Sequence, residues 1–402
     1  MPNDTTSISD FPDINNLFLH YLVGKTQINK EDDYNDGLEQ KESEVEAKPQ
    51  KADGWNQRIL LGVEKERMQR ALEEKKLQKK RNALLTRYFQ QLLLSTINEK
   101  LKETKVIVSE QLQLRENSID LLIELLAKEP SYSTLADLLD LNPSTRNHVI
   151  NLVANDDFMA LLGKSKYVVQ DARGAIGMIG IDTLRYLLPC LIFKYRINAF
   201  NQHNRFFAKK LWRYQLTLGQ ACTSLMKEDG YRKPYEGQLL SAMANFAFAA
   251  SFQQYLVSFD SVRKNCIAEA REKGEKIKHD FFFELKSDPA SLQALLIAKS
   301  DLKMSALLFK EAFPKRFIHL FNALSEEIDN IDFDARSKLG KILYQAIHFA
   351  KYDQLRASRL FKPEWLEEYL SLAHIDSAVF KDLSRQELFR FKPDWSDETK
   401  LV

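Results

Sequence analysis

Turn-forming residues are scarce in this chain. Of 402 residues, 13 are Gly and 11 are Pro, together about 6%, half of the roughly 12% of average usage. Sandwiches, barrels and Rossmann sheets change direction often and spend Gly and Pro doing so. A chain this poor in both is predicted to build long helices with short connections. It also has little material for Gly-rich phosphate loops: GxGxxG and GxxxxGK[ST] are both absent.

The length suggests one large domain or two, plus tails. The 58 Lys and Arg balance 56 Asp and Glu, for a net charge of +2. No global field that would capture DNA, other nucleic acid or a membrane surface is expected. Cys190, Cys222 and Cys266 are odd in number, far apart and without a CxxC pair, which fits buried free thiols in a reducing compartment. The opening MPNDTTSISD has no basic-then-apolar pattern of a leader. The best apolar run, Tyr186 to Phe193, contains Pro189 and falls far short of the roughly 20 residues of a spanning helix. A cytoplasmic protein with no membrane span is therefore expected.

Residues 1–57 read as a flexible tail carrying one short amphipathic helix. Ile14, Leu17, Phe18, Tyr21 and Leu22 repeat at helical spacing. Ser9 or Asp10 is placed to cap, and Pro12 suits the first turn. Such a helix either docks on its own domain or serves as a helix-in-groove element for a partner; the first is favoured, because short helices need tertiary packing. Residues 29–53 carry nine acids against four lysines and almost no large apolar residue, the composition of a disordered linker.

From Arg58 to Lys105 the pattern is a long charged helix, or two, with thirteen Lys and Arg against six Glu. Its charge runs read as solvated faces with i,i+4 pairing. Its late apolar residues, Leu84, Leu85, Tyr88, Phe89, Leu92, Leu93, Ile97 and Leu101, are predicted to form one core-facing side. Helices continue over Leu135–Leu141, capped by Ser133 or Thr134, and after the Asn142-Pro143 turn. They follow over Ala172–Gly180, Thr183–Ile197, Phe206–Met226, Gly237–Phe259, Leu292–Leu308, Phe317–Ile328, Lys338–Leu355, Glu364–Leu372 and Ser377–Phe389. Val168-Val169 is the only strand-like patch, and no solenoid repeat emerges.

Three segments carry a family resemblance. EPSYSTLADLLDLNPSTRNHVINLVAND (129–156) contains Leu135-Ala136, Asn142-Pro143, Val149-Ile150 and Asn155. VVQDARGAIGMIGIDTLRYLLP (168–189) contains Ala175, Ile176, Ile179, Gly180 and Leu184-Arg185. FFAKKLWRYQLTLGQACTSLM (206–226) contains Trp212. In this order and at these distances they resemble the HDOD domain, an all-helical relative of metal-dependent HD phosphohydrolases found in bacterial signalling. The resemblance covers about 110 to 390, more loosely after 230. It implies an all-α, multi-helix HD-like bundle at 106–390, preceded by the tail (1–57) and the charged helix (58–105) and followed by a C-terminal tail (391–402). Pro143, Asn155, Ala175, Gly180 and Trp212 are fold-motif positions, with Trp212 expected as a large core anchor. Gly177 and Gly180 sit where small residues allow close approach.

The same resemblance implies what is missing. HD hydrolases hold a divalent metal with a helix His, an adjacent His-Asp pair and a distal Asp. At the matching places stand Tyr214, Asn245 and Asp353, and of these only Asp353 could bind a metal. His279-Asp280 is a His-Asp dipeptide outside the expected helix, read as chance. His319 and His348 read as satisfied core histidines; His148, His203 and His374 are likewise alone. No Ser-His-Asp or Cys-His set emerges. No catalytic residue, metal or cofactor is assigned. The expected function is non-catalytic signal transduction, by binding a signalling protein or small ligand at a vestigial cleft of Tyr214, Asn245 and Asp353. One alternative is a divergent metal-dependent phosphohydrolase using His279, Asp280 and Asp353. The other is an RNA- or membrane-surface adaptor using the basic helix, with Lys75, Lys76, Lys79, Lys80 and Arg81 as its contacts.

Overall fold

The computed structural model describes residues 11–24, 62–103, 116–194, 202–287, 293–297 and 300–386. The acidic linker, most of the N-terminal tail and the C-terminal tail lie outside these. Among the described residues all regular structure is helical, without strands. The helices are α1 (Ile14–Val23), α2 (Gly62–Leu101), α3 (Glu116–Leu125), α4 (Tyr132–Asp140), α5 (Pro143–Val153), α6 (Asp156–Leu161), α7 (Ala172–Ile179), α8 (Ile181–Lys194) and α9 (Gln202–Glu228). They continue with α10 (Glu236–Glu272), α11 (Lys276–Glu284), α12 (Gln293–Ile297), α13 (Ser300–Ala312), α14 (Ile318–Ile328), α15 (Lys338–Ala357), α16 (Leu366–Ala373) and α17 (Ser377–Arg385).

The chain divides into two compact units. One comprises Met1–Thr26, Thr96–Val257 and Asp288–Val402; the other comprises Gln27–Ser95 and Ser258–Ser287. In the second unit Phe89 meets Phe259 edge-on at 5.2 Å and Phe282 at 6.0 Å. The core-facing side of α2 is narrower than the sequence pattern implies. Leu85, Phe89, Leu93, Ile97 and Leu101 are buried, whereas Leu84, Tyr88 and Leu92 are exposed. The exposed residues each precede a buried one by one position, and at 100° per residue they turn away from the i,i+4 stripe. Lys75, Lys76, Lys79 and Lys80 are exposed, and Arg81 is half-buried.

In the first unit the motif residues occupy helix ends and bends. Pro143 takes the first position of α5, where its missing N–H costs nothing. Asn155 caps α6, its Oδ1 accepting the Phe158 amide at 2.8 Å. Ala175 is fully buried in α7. Gly180 adopts φ +91°, a conformation side chains disfavour, and there the chain bends 114° from α7 into α8. A Cβ on Gly177 would lie 2.9 Å from the Tyr132 hydroxyl, so the close approach expected at this glycine occurs. Trp212 departs from expectation: it is half-buried, and the deep anchors of α9 are Leu211, Tyr214, Leu218 and Cys222. On a helix, residues three and four apart share the inner face, and Trp212 lies beside that set.

Two caps also differ from the sequence reading. Asp13 caps α1, accepting the amides of Asn15 and Asn16 at 2.9 and 3.2 Å. Ser131 caps α4, accepting the Thr134 amide at 3.3 Å. Ser9 and Asp10 lie outside the described residues; at α4 Ser131, with the Thr134 amide in reach, takes the cap ahead of Ser133 and Thr134. Helix α10 runs to Glu272, well past Phe259, and α11 was not apparent from periodicity. No single helix among the described residues is long and apolar enough to cross a membrane.

Candidate functional site

Helices α9 and α15 form the most extensive helix–helix contact in the first unit, and α1 lies against both. The amphipathic spacing of α1 explains its placement. Ile14, Phe18 and Leu22 share one face and are buried, Phe18 completely. Phe18 stacks obliquely on Tyr214 of α9 at 4.9 Å. The amphipathic tail helix is thus docked on its own domain.

Polar contacts fix its register at both ends. Lys210 of α9, fully buried, donates to the carbonyl oxygens of Tyr21 at 2.6 Å and Gly24 at 2.8 Å. These lie at the C-terminal end of α1, where carbonyls lack intrahelical partners and a cation is favoured. The Lys210 ammonium also sits 4.5 Å from the Tyr21 ring centroid. The Tyr21 hydroxyl donates to Gln354 Oε1 at 3.0 Å, and Gln354 Nε2 donates to the Lys210 carbonyl at 3.4 Å. Burial lowers the Lys210 ammonium to about 8 and raises the Tyr21 phenol above its usual range. At the other end Lys351 of α15 donates to Asn15 Oδ1 at 2.6 Å. No sequence signal marks Lys210 or Gln354.

The three residues assigned to the vestigial cleft have separate fates. Tyr214 is buried and, with Phe18, lines a cavity of about 590 Å³. Asn245 of α10 does not line it; its Nδ2 donates to the Leu211 carbonyl and to Gln215 Oε1, both at 3.0 Å. Asp353 does not line it either, and is ion-paired with Arg213 and Arg356, each at 3.6 Å. The three share the α9–α10–α15 region but not one cavity wall.

Three histidines have defined neighbours. His348 Nδ1 lies 3.2 Å from the Tyr369 hydroxyl in the core. His319 Nε2 lies 2.7 Å from Glu236 Oε2, and Glu236 is buried at the start of α10. Their separation of 83 residues made that pair invisible in sequence. His279 Nδ1 lies 3.1 Å from Asp280 Oδ1 on α11, and its ring stacks near Phe283. Asp280 lies in the second unit and Asp353 in the first. Among the described residues no group of three or more His, Cys, Asp or Glu is arranged to hold a metal ion. All three cysteines are buried and free.

No family model matches the chain, and no curated protein matches it. Among solved structures, a crystal structure described as "Putative phosphohydrolase from Shewanella amazonensis SB2B" is similar at 17% identity with a TM-score of 0.43, covering 71% of this chain and 94% of that one.

Proposed function

We propose that this protein is a non-catalytic, HDOD-like regulatory protein of bacterial signalling that acts in the cytoplasm by binding a partner protein or small ligand near the α1–α9–α15 contact. The observation that carries the reading is how the hydrolase-ligand positions are used. Tyr214 stacks on Phe18 of the docked α1, Asn245 is hydrogen-bonded to Leu211 and Gln215, and Asp353 is held by two arginines. Each residue is committed to internal structure, and the ordered segments around Asn155, Gly180 and Trp212 point to the same family.

The test is an activity and metal survey on the full-length chain. Phosphodiesters, cyclic dinucleotides and nucleotides are offered with Mn²⁺ or Mg²⁺, and metal content is measured in parallel. The expected result is no turnover, with thermal stability indifferent to either ion. Turnover lost on Asp353→Asn or His279→Ala would overturn the reading. The positive arm is capture of a partner by the full-length protein, reduced when Tyr214→Ala loosens the α1 contact.

A further inference from the structure

Helix α1 covers the α9–α15 groove without filling it. A cavity of about 590 Å³ lined by both remains, whereas packed interiors hold few voids larger than a water molecule. Asn16 and Leu19 line it from α1, and Phe248, Leu296 and Ile347 line it from the body of the unit. Asn16 is half-buried, and its Nδ2 is spent within α1, donating to the Asp13 carboxylate at 2.6 Å. The apolar lining at Phe248, Leu296 and Ile347 thus faces a space that α1 leaves open, and contacts that a larger side chain would make are not made.

The contacts that hold α1 are of two kinds. Lys210 donates to the carbonyl oxygens of Tyr21 and Gly24 at 2.6 and 2.8 Å. These are main-chain acceptors at a helix C-terminus, and any helix that ends there offers them. Side-chain recognition rests on Phe18, fully buried 4.9 Å from the Tyr214 ring, and on the Tyr21 hydroxyl, which donates to Gln354 Oε1 at 3.0 Å. Ile14, Phe18, Tyr21 and Leu22 are buried at i, i+4, i+7 and i+8, the anchor spacing of a helix lying in a groove. The groove therefore reads a short pattern that a helix from another chain can carry.

We propose that the α9–α15 groove is the receptor for an amphipathic helix of a partner protein, and that α1 is its tethered, replaceable occupant. The inference rests on the partner-binding reading above and specifies the partner's chemistry. Because α1 belongs to the same chain, it competes at high effective concentration. A partner at lower concentration wins only through a contact that α1 lacks, and the cavity supplies one. The partner helix keeps the apolar and aromatic anchors of α1 and ends at Lys210, and it carries a large apolar side chain where α1 has Asn16. Its apparent affinity scales with the fraction of chains whose groove is open.

The experiment adds two fluorescein-labelled peptides to the full-length protein and follows anisotropy. One has the sequence of residues 11–24; the other carries Asn16→Phe. The plain peptide is expected to bind the natural chain weakly. Phe18→Asp in the protein ejects α1 and leaves every groove residue in place, and should tighten that binding about tenfold. Adding Lys210→Met to Phe18→Asp should weaken it again by about tenfold. The Asn16→Phe peptide should bind both the natural chain and Phe18→Asp about tenfold more tightly than the plain one, and should accelerate amide exchange over residues 14–23 of the natural chain. Tyr214→Ala, on the groove side, should weaken both peptides, so variants on the two sides of the contact move binding in opposite directions. Circular dichroism checks that the variants fold; should Phe18→Asp fail it, Phe18→Ala takes its place, and the Asn16→Phe peptide on the natural chain needs no variant. No saturable binding to the opened groove, equal affinity with α1 docked and ejected, or no gain from Asn16→Phe would each overturn the proposal and leave the non-catalytic reading standing. Metal-dependent turnover would overturn that reading and leave the peptide result untouched.

Discussion

The ammonium of Lys210 lies 2.6 Å from the carbonyl oxygen of Tyr21, across 189 residues of chain. It joins the C-terminal end of α1 to the middle of α9. The contact closes a ring, since Tyr21 also donates to Gln354, whose amide donates to the Lys210 carbonyl. A charge buried in this way is tolerated because two carbonyls and an aromatic face surround it.

Replacing Lys210 with Met should release α1 without unfolding the rest. The change removes two hydrogen bonds and leaves the α1 carbonyls without that donor. The expected loss in docking is about 2 kcal/mol, roughly thirty-fold in the docking equilibrium. Hydrogen exchange over residues 14–23 should accelerate correspondingly while exchange in α15 is unchanged. Unaltered exchange in α1 would remove Lys210 from this role.

The same residue predicts a pH dependence. Burial lowers Lys210 from 10.5 to about 8 when α1 is docked, and release returns it toward 10.5. Between these values the released state holds a proton that the docked state lacks, so docking strengthens as pH rises through the window. Below pH 8 the lysine is protonated in both states and the dependence disappears. Tyr21 is shifted up by burial and acts oppositely above its ordinary 10, which ends the useful range. Protection of α1, corrected for intrinsic exchange, should increase from pH 8 to 9.5 in the natural chain and stay flat in Lys210→Met.

A side chain at Gly237 would crowd α9. A Cβ there would lie 3.0 Å from both Cys222 Cβ and the Thr223 backbone nitrogen, so the start of α10 meets α9 almost backbone to backbone. Gly237→Val should cost about 1–3 kcal/mol through overpacking and lower the melting temperature by several degrees. Gly237→Ala should fall between the natural chain and the valine variant. An unchanged melting temperature in the valine variant would contradict the close approach.

Asn245 should prove structural. Asn245→Leu leaves the Leu211 carbonyl and Gln215 Oε1 without that donor at a buried position. A loss of about 1–3 kcal/mol is expected in denaturant unfolding. Gln215→Leu combined with it should recover part of that loss in a double-mutant cycle, because fewer polar groups are then stranded. Strict additivity would mean the two do not interact.

The cysteines should be inert in the native protein. Burial pushes the thiols of Cys190 and Cys222 up to about 12 and raises that of Cys266. A thiolate-selective aromatic disulfide at pH 8 should therefore label none of them quickly, and all three in denaturant. Rapid labelling of Cys190 or Cys222 at native pH would show that these sites open.

Much of the fold was legible because helix signals are local. The shortage of Gly and Pro, the i,i+3 and i,i+4 apolar spacing and the Asn142-Pro143 start of α5 foretold an all-helical chain. Asn155 and Gly180 were legible as positions of a resemblance, and their cap and bend are what such residues do at helix ends. Errors fell where several residues competed for one role. Ser131 took the α4 cap from Ser133 and Thr134, and Trp212 shared an apolar neighbourhood with Leu211 and Tyr214 but lay off the buried face. The site was less legible. Tyr214, Asn245 and Asp353 came from resemblance, and only the fold separates the cavity-lining tyrosine from an asparagine and an aspartate tied up in internal pairs.

The amino-acid order by itself determined which segments are helical, which face of each is apolar and where several of them end, because those properties depend on neighbours within about four positions. It marked α1 as needing a surface to cover Phe18 and Leu22 and left two candidates for that surface. Tertiary structure alone decided that the surface is the α9–α15 groove of the same chain, with Lys210, Gln354 and Lys351 holding the helix in register. Periodicity states that a face must be buried; the partner is chosen by side-chain geometry between residues hundreds of positions apart, which no local pattern encodes.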